Sequence, residues 1–306
     1  MNYPMIISIA FLIFLLVTLS GTAQHSSDYN DERIHRTVSD DGTEIAGRVL
    51  GQGPPLVLVH GGLGDDSTWE SLLPYLTDNY TCYVMSLRGR GLSGEPSEPD
   101  YPIERLVEDI VAFAESVGEP VYLMGFSLGG TLAIPAAAQS ASIRAVAIYE
   151  GPVFDVIGDE HAVRFAESAE NAFAAAADGR MADAARSIIE PVANDDELNE
   201  LSEMGIFDVW AVNVPITIRE MQQAPDPELG GPTPTQPSIL EHIGVPVLYL
   251  HASETPTDWY VESAQYLGEH IDNMTVVEIE DVGHFAPHLQ PEVVADELIR
   301  FFDIVR

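Results

Sequence analysis

One serine interrupts a stretch that otherwise reads as buried. Residues 121–134, VYLMGFSLGGTLAI, run apolar to Phe126, break at Ser127 and continue as small residues with helical character. Glycine costs chain order and a hydroxyl adds nothing to a buried strand, so the interruption lowers stability and calls for a chemical reason. A tight strand-to-helix turn supplies one. On such a turn the Ser127 hydroxyl points outward, Gly125 and Gly129 let the backbones approach, and the helix N-terminus favours negative charge developing in front of it. This is a setting for nucleophilic catalysis. Serine is a poor nucleophile at its own pKa and needs a base that titrates near neutrality, which histidine supplies, with a buried carboxylate to hold the imidazole in one tautomer. Nine histidines and 49 acidic residues are available for these parts.

The elements that would position them follow from the hydrophobic pattern. PLVLVH, TCYVMSL, PVYLMGF, IRAVAIYE, VPVLYLHAS and MTVVEIE read as strands, and most are apolar throughout. Between them lie helical spacing over 67–76, the amphipathic IERLVEDIVAFAESVG, the small-residue run after Ser127 and a helix over about 260–270, with a closing helix over 291–302. Strand and helix in alternation, with apolar strands, predict an α/β fold: a mostly parallel central sheet flanked by helices. RIHRTVSDDGTEIAGRVL adds a hairpin around Asp41-Gly42. Residues 151–238 lack strand signal and are rich in alanine and then proline, so they predict a helical cap inserted into a core of 34–150 and 239–306. Ligands of parallel sheets bind beyond the carboxyl ends of the strands, where Ser127 lies.

Composition narrows the function. The net charge is −36, every basic residue is an arginine, and nucleic acid is therefore not an expected partner. Such self-repulsion suggests a chain adapted to surroundings where salt screens it. The single cysteine, Cys82, sits in a strand and reads as core packing, with no intrachain disulfide or thiolate cluster available. No histidine pairing has metal-ligand spacing, and GGLGDD lacks the lysine and hydroxyl of a phosphate loop, so neither metal nor cofactor is expected. Residues 1–23 contain the apolar run MIISIAFLIFLLVTLS followed by small residues at Gly21 and Ala23, as in a signal peptide, with an uncleaved anchor as the alternative. Residues 24–33 read as a linker. Export, or attachment to a membrane through this segment alone, is the expectation.

Gly125-Phe126-Ser127-Leu128-Gly129 matches the G-x-S-x-G nucleophile elbow, and the chain here resembles the α/β-hydrolase superfamily. HGG at 60–62 is similar to that family's oxyanion loop, RGRGLSG to its arginine-glycine loop, and GHFAP to the loop that carries its catalytic histidine. The resemblance implies His284 as the base and the amides of Gly62 and Leu128 as the oxyanion hole. His288 lies four residues further on; His60 reads as support for the oxyanion loop and His251 as a satisfied structural histidine. The acid departs from the family pattern. The usual aspartate slot after VPVLYLH holds Thr255, which cannot offset an imidazolium charge. Glu150, ending the strand after the nucleophile as in certain haloalkane dehalogenases, is favoured; Glu254 and Asp258 are the alternatives, Asp258 also suiting a helix cap. The resemblance implies a serine hydrolase acting on a small or apolar carboxylic ester or similar acyl compound, with the cap as lid. Its Met204, Phe207, Trp210 and Met221 suggest an apolar pocket. A C–C bond hydrolase, a cofactor-free haloperoxidase-like enzyme and a noncatalytic binding protein on the same fold remain open.

Overall fold

Segments apolar at every position build the middle of an eight-stranded sheet, because a strand covered on both faces has no solvent side to reserve for polar residues. The computed structural model describes residues 33–96, 98, 101–223 and 233–306. The signal-peptide or anchor reading of 1–23, and the linker up to residue 32, lie outside the described residues; Arg33 already opens the first strand. The strands are β1 (Arg33–Val38), β2 (Glu44–Gly51), β3 (Pro55–Val59), β4 (Thr81–Met85), β5 (Val121–Phe126), β6 (Ile143–Tyr149), β7 (Val247–Ala252) and β8 (Met274–Ile279). They are ordered β1-β2-β4-β3-β5-β6-β7-β8. β1 and β2 form the expected hairpin, β2 pairs antiparallel with β4, and every other pair is parallel.

The helices are α1 (Leu73–Leu76), α2 (Glu104–Ser116), α3 (Leu128–Gln139), α4 (Asp159–Ala177), α5 (Met181–Ile189), α6 (Asp195–Glu203), α7 (Ile206–Trp210), α8 (Val214–Gln223), α9 (Pro237–Leu240), α10 (Trp259–His270), α11 (Ala286–Leu289) and α12 (Pro291–Ile304). The period of two along each strand divides the interior. Leu56, Leu58, Tyr122, Met124 and Phe126 pack with α1, α12 and the inserted helices, while Val57, Val59, Val121 and Leu123 pack with α2, α3 and α10. Cys82 is fully buried in the first of these cores, and burial pushes its thiol up to about 12.

Helices α4 to α9 lie in the interval between β6 and β7, and no strand occurs there among the described residues. Two local expectations need correction. The spacing over 67–76 is not one helix but a 3₁₀ turn at Asp66–Trp69 and the single turn α1, because Pro74 supplies no amide and starts a helix instead of continuing one. The loop DVGHFAPH also closes into a helical turn, α11, which starts beyond His284 and contains His288. Among the described residues no helix is long and apolar enough to cross a membrane.

Candidate active site

Ser127 follows β5 directly and precedes α3, with φ 52° and ψ −124°. A non-glycine residue in this region is strained, and the surroundings must hold it there. Its amide donates to the Tyr149 carbonyl (2.9 Å) and its carbonyl accepts from the Gly130 amide (2.8 Å). The glycines are required by contact: a Cβ on Gly125 would lie 2.3 Å from the Gly129 carbonyl oxygen, and one on Gly129 would lie 2.3 Å from that of Val59. The serine thus stands at the carboxyl edge of the sheet with the α3 N-terminus beneath it.

The neighbouring strand end carries Glu150, also at positive φ (44°) and fully buried. Its Oε2 lies 2.7 Å from His284 Nδ1; its Oε1 accepts from the Ala252 amide (2.9 Å), and the Thr255 hydroxyl lies 3.0 Å from both oxygens. The carboxylate is the acceptor for the Ala252 amide and the Thr255 hydroxyl, and in the same role towards His284 it assigns the proton to Nδ1 and leaves Nε2 as acceptor. Thr255, in the slot where the family pattern places an acid, holds an acid supplied from the adjacent strand. The His284 ring stacks on Tyr260 (5.1 Å, 13° between planes) and packs on Phe126 (5.0 Å), and the loop before it is pinned by the Tyr149 hydroxyl donating to the Gly283 carbonyl (2.7 Å). Ser127 and His284 line one cavity.

The alternative acids are elsewhere. Glu254 is exposed, as is Asp258, which precedes α10 without capping it; the Thr257 hydroxyl accepts from the Trp259 amide in that place (3.2 Å). His251 is buried but not satisfied as expected, its Nδ1 lying 3.6 Å from the Glu278 carboxylate with no hydrogen bond.

His60 supports the loop after β3. Nε2 accepts from the Leu87 amide (3.0 Å), so Nδ1 is the donor to the Gly61 carbonyl (2.8 Å), and burial, reinforced by the Arg90 charge, pushes its pKa down to about 4. The Gly62 amide and the Leu128 amide at the head of α3 donate to nothing among the described residues. The Gly62 carbonyl accepts from the Thr217 hydroxyl (2.7 Å) and from Arg90 (2.8 Å). Arg90, fully buried, also pairs with Glu220, whose other partner is the Tyr101 hydroxyl (2.6 Å). Asn213 donates to the Leu63 carbonyl (3.0 Å). Helix α8 and its approach therefore hold the outside of the loop whose inside would face a substrate oxygen.

Two cavities meet at this loop. One is lined by Ser127, His284, Phe126, Trp210, Phe285 and His288, the other by Leu128, Tyr101, Phe154, Thr217 and Met221, and Gly62 lines both. The second is walled mostly by apolar atoms. Of the four cap residues that suggest an apolar pocket, Trp210 and Met221 line these cavities, Phe207 packs on Trp210, and Met204 is exposed.

Glu197 escaped the sequence reading. Its carboxylate caps α6 reciprocally with Asn194, a signal visible as N-x-x-E, but it also accepts from the Phe285 amide (2.6 Å) and lies where a Cβ on Gly283 would be. Burial raises its pKa, opposed by the Phe285 amide and the charge of His284. The insertion thus grips the loop that carries His284.

With fold and geometry in place, the chain is identified as an α/β hydrolase by class. Residues 56–297 match the Alpha/beta hydrolase family, and the chain belongs to it. It is 36% identical over 108 residues to an N-formylmaleamate deformylase of Pseudomonas putida, a match covering 35% of this chain and 40% of that protein. A pimeloyl-[acyl-carrier protein] methyl ester esterase of Aeromonas hydrophila is 36% identical over 84 residues, 28% of this chain and 32% of that protein. The chain therefore spans less than half the length of these curated relatives. An α/β hydrolase from Sphaerobacter thermophilus superposes with a TM-score of 0.67 at 26% identity, covering 88% of this chain and 100% of that one. An esterase from a Rhodococcus species shares the fold, with a TM-score of 0.71 at 22% identity over 89% of this chain and 99% of that one.

Proposed function

We propose that the protein is a serine hydrolase of carboxylic esters or closely related acyl compounds, acting through an acyl-enzyme. The observation that carries this reading is the 2.7 Å contact between His284 Nδ1 and the buried Glu150, made in the wall of the cavity that Ser127 also lines. The relatives named as a deformylase and as a methyl ester esterase support it at the level of hydrolysis of an acyl compound.

In this reading Ser127 Oγ bonds to the substrate carbonyl carbon as its proton passes to Nε2 of His284. The carbonyl oxygen gains the negative charge, facing the amides of Gly62 and Leu128, and Glu150 stabilises the imidazolium. The C–O bond to the alcohol breaks, and the alcohol leaves with the proton from His284. Water then attacks the acyl-enzyme, giving up a proton to His284, and the carboxylic acid departs as that proton returns to Ser127. The apolar cavity beside Gly62 and Leu128 suits an aliphatic substituent. A panel of p-nitrophenyl and methyl esters of increasing acyl length tests this, with Ser127→Ala as control: turnover of the short to medium members by the wild type only is expected. No turnover of any member, together with no labelling by a fluorophosphonate, would favour a binding protein on this fold.

A further inference from the structure

The cavity that holds Ser127 and His284 contains polar atoms that the reaction leaves unused. Both ring nitrogens of His288 are buried without a hydrogen-bond partner, and so is the hydroxyl of Thr68; both residues line the cavity. His288 is only 9% exposed. Its ring packs against Phe126 (5.7 Å), Trp210 (5.7 Å) and Phe285 (5.8 Å), and the turn that bears it, α11, touches the 3₁₀ turn that bears Thr68. A buried donor left unpaired is destabilising, and leucine at this position would avoid that penalty while keeping the apolar contacts. Retaining an imidazole in the wall of a catalytic cavity is explained if something that enters the cavity pairs with it.

Resting on the acyl-transfer reading above, we propose that His288, seconded by Thr68, binds an uncharged hydroxyl or carbonyl group that the substrate carries a few bonds from its scissile carbonyl. The imidazole is suited to a neutral partner. Burial and the nearby His284 push its pKa down to about 4, so near neutral pH it offers one N–H donor and one nitrogen acceptor. No arginine lines this cavity among the described residues, and a charged substituent would enter aromatic surroundings without a counter-ion. The preferred substrates are thus hydroxy- or oxo-substituted esters instead of plain alkyl esters.

The test uses matched pairs that differ by one polar group: methyl butyrate against methyl 3-hydroxybutyrate and methyl 3-oxobutyrate on the acyl side, ethyl butyrate against 2-hydroxyethyl butyrate on the alcohol side. The quantity read is the ratio of kcat/KM within each pair, which is independent of how much folded enzyme a preparation contains. At least one pair should favour the polar ester about tenfold or more in the wild type. That ratio should fall towards one in His288→Leu, and in His288→Phe, which keeps a flat ring. Ratios near one for every pair in the wild type, or a preference that survives both substitutions, would overturn the proposal while leaving acyl transfer intact. Absence of turnover for every ester, plain or polar, would instead remove the acyl-transfer reading and this proposal with it.

Discussion

Glu150 leaves β6 at positive φ and full burial to reach His284, and a residue held in that geometry should not tolerate loss of its charge. In Glu150→Gln the amide offers a poorer acceptor to Nδ1 and no charge opposite the imidazolium, so kcat/KM for an ester should fall by about a thousandfold or more. Glu254→Gln, on an exposed side chain, should remain near wild type. A reversed order in ester assays would return the acid to the loop after β7. Thr255→Val tests the bracing of Glu150: removing one donor, 3.0 Å from both carboxylate oxygens, should lower kcat by about tenfold with little change in KM. Ser127 and its glycines were legible because the turn restricts residue type at fixed spacing. The carboxylate that meets His284 was legible only as one of several alternatives: strand-end carboxylates look alike in sequence, and what separates Glu150 from Glu254 is burial and distance to a histidine 134 positions away.

The elements hold the site from outside through two polar struts. Arg90 in the loop after β4 pairs with Glu220 on α8 and bonds the Gly62 carbonyl, so removing one partner leaves the other buried and charged. Glu220→Ala should cost about 3–5 kcal/mol in urea unfolding, whereas the double change Arg90→Met, Glu220→Leu should cost far less. Equal losses in the two would show that charge pairing is not what this contact contributes. Glu197→Gln should lower kcat more than it raises KM, since the carboxylate fixes the Gly283–Phe285 backbone that carries His284. The strand order and both flanking layers could be read from apolar runs and helical spacing. The struts could not, because an acidic residue on an amphipathic helix such as α6 or α8 reads as a solvated face until tertiary packing shows what it meets.

At the scale of the whole molecule, pH and salt act on groups spread through the fold. His60 and His288 are held neutral, each with its pKa pushed down to about 4 from an ordinary 6.5, with burial as the largest cause. The unfolded chain binds protons at these positions below about 6.5 while the native chain refuses them until about 4, so lowering pH through that window favours unfolding, on the order of 3 kcal/mol per histidine. Asp41, where burial acts upward but is outweighed by the bonds from Thr43 and Arg88 that hold its pKa below the ordinary value, weakens the fold only at lower pH still. Urea midpoints followed from pH 7 to pH 4 should therefore drop, and less steeply in His288→Leu; a flat profile would contradict the neutral-histidine assignment. The 49 acidic and 13 basic residues leave most carboxylates unmatched, and the thermal midpoint should rise from dilute buffer to molar salt. Export of the chain through residues 1–23 is a separate proposal, decided by mass spectrometry of the mature N-terminus.

The most direct test is the rate and position of fluorophosphonate attachment, read by peptide mass spectrometry in the wild type, Glu150→Gln and Glu254→Gln. The adduct should form on Ser127, at least a hundredfold more slowly in Glu150→Gln and at an unchanged rate in Glu254→Gln. Attachment at another residue, no attachment, or the same rate in Glu150→Gln as in the wild type would contradict a Ser127 activated by the His284–Glu150 pair.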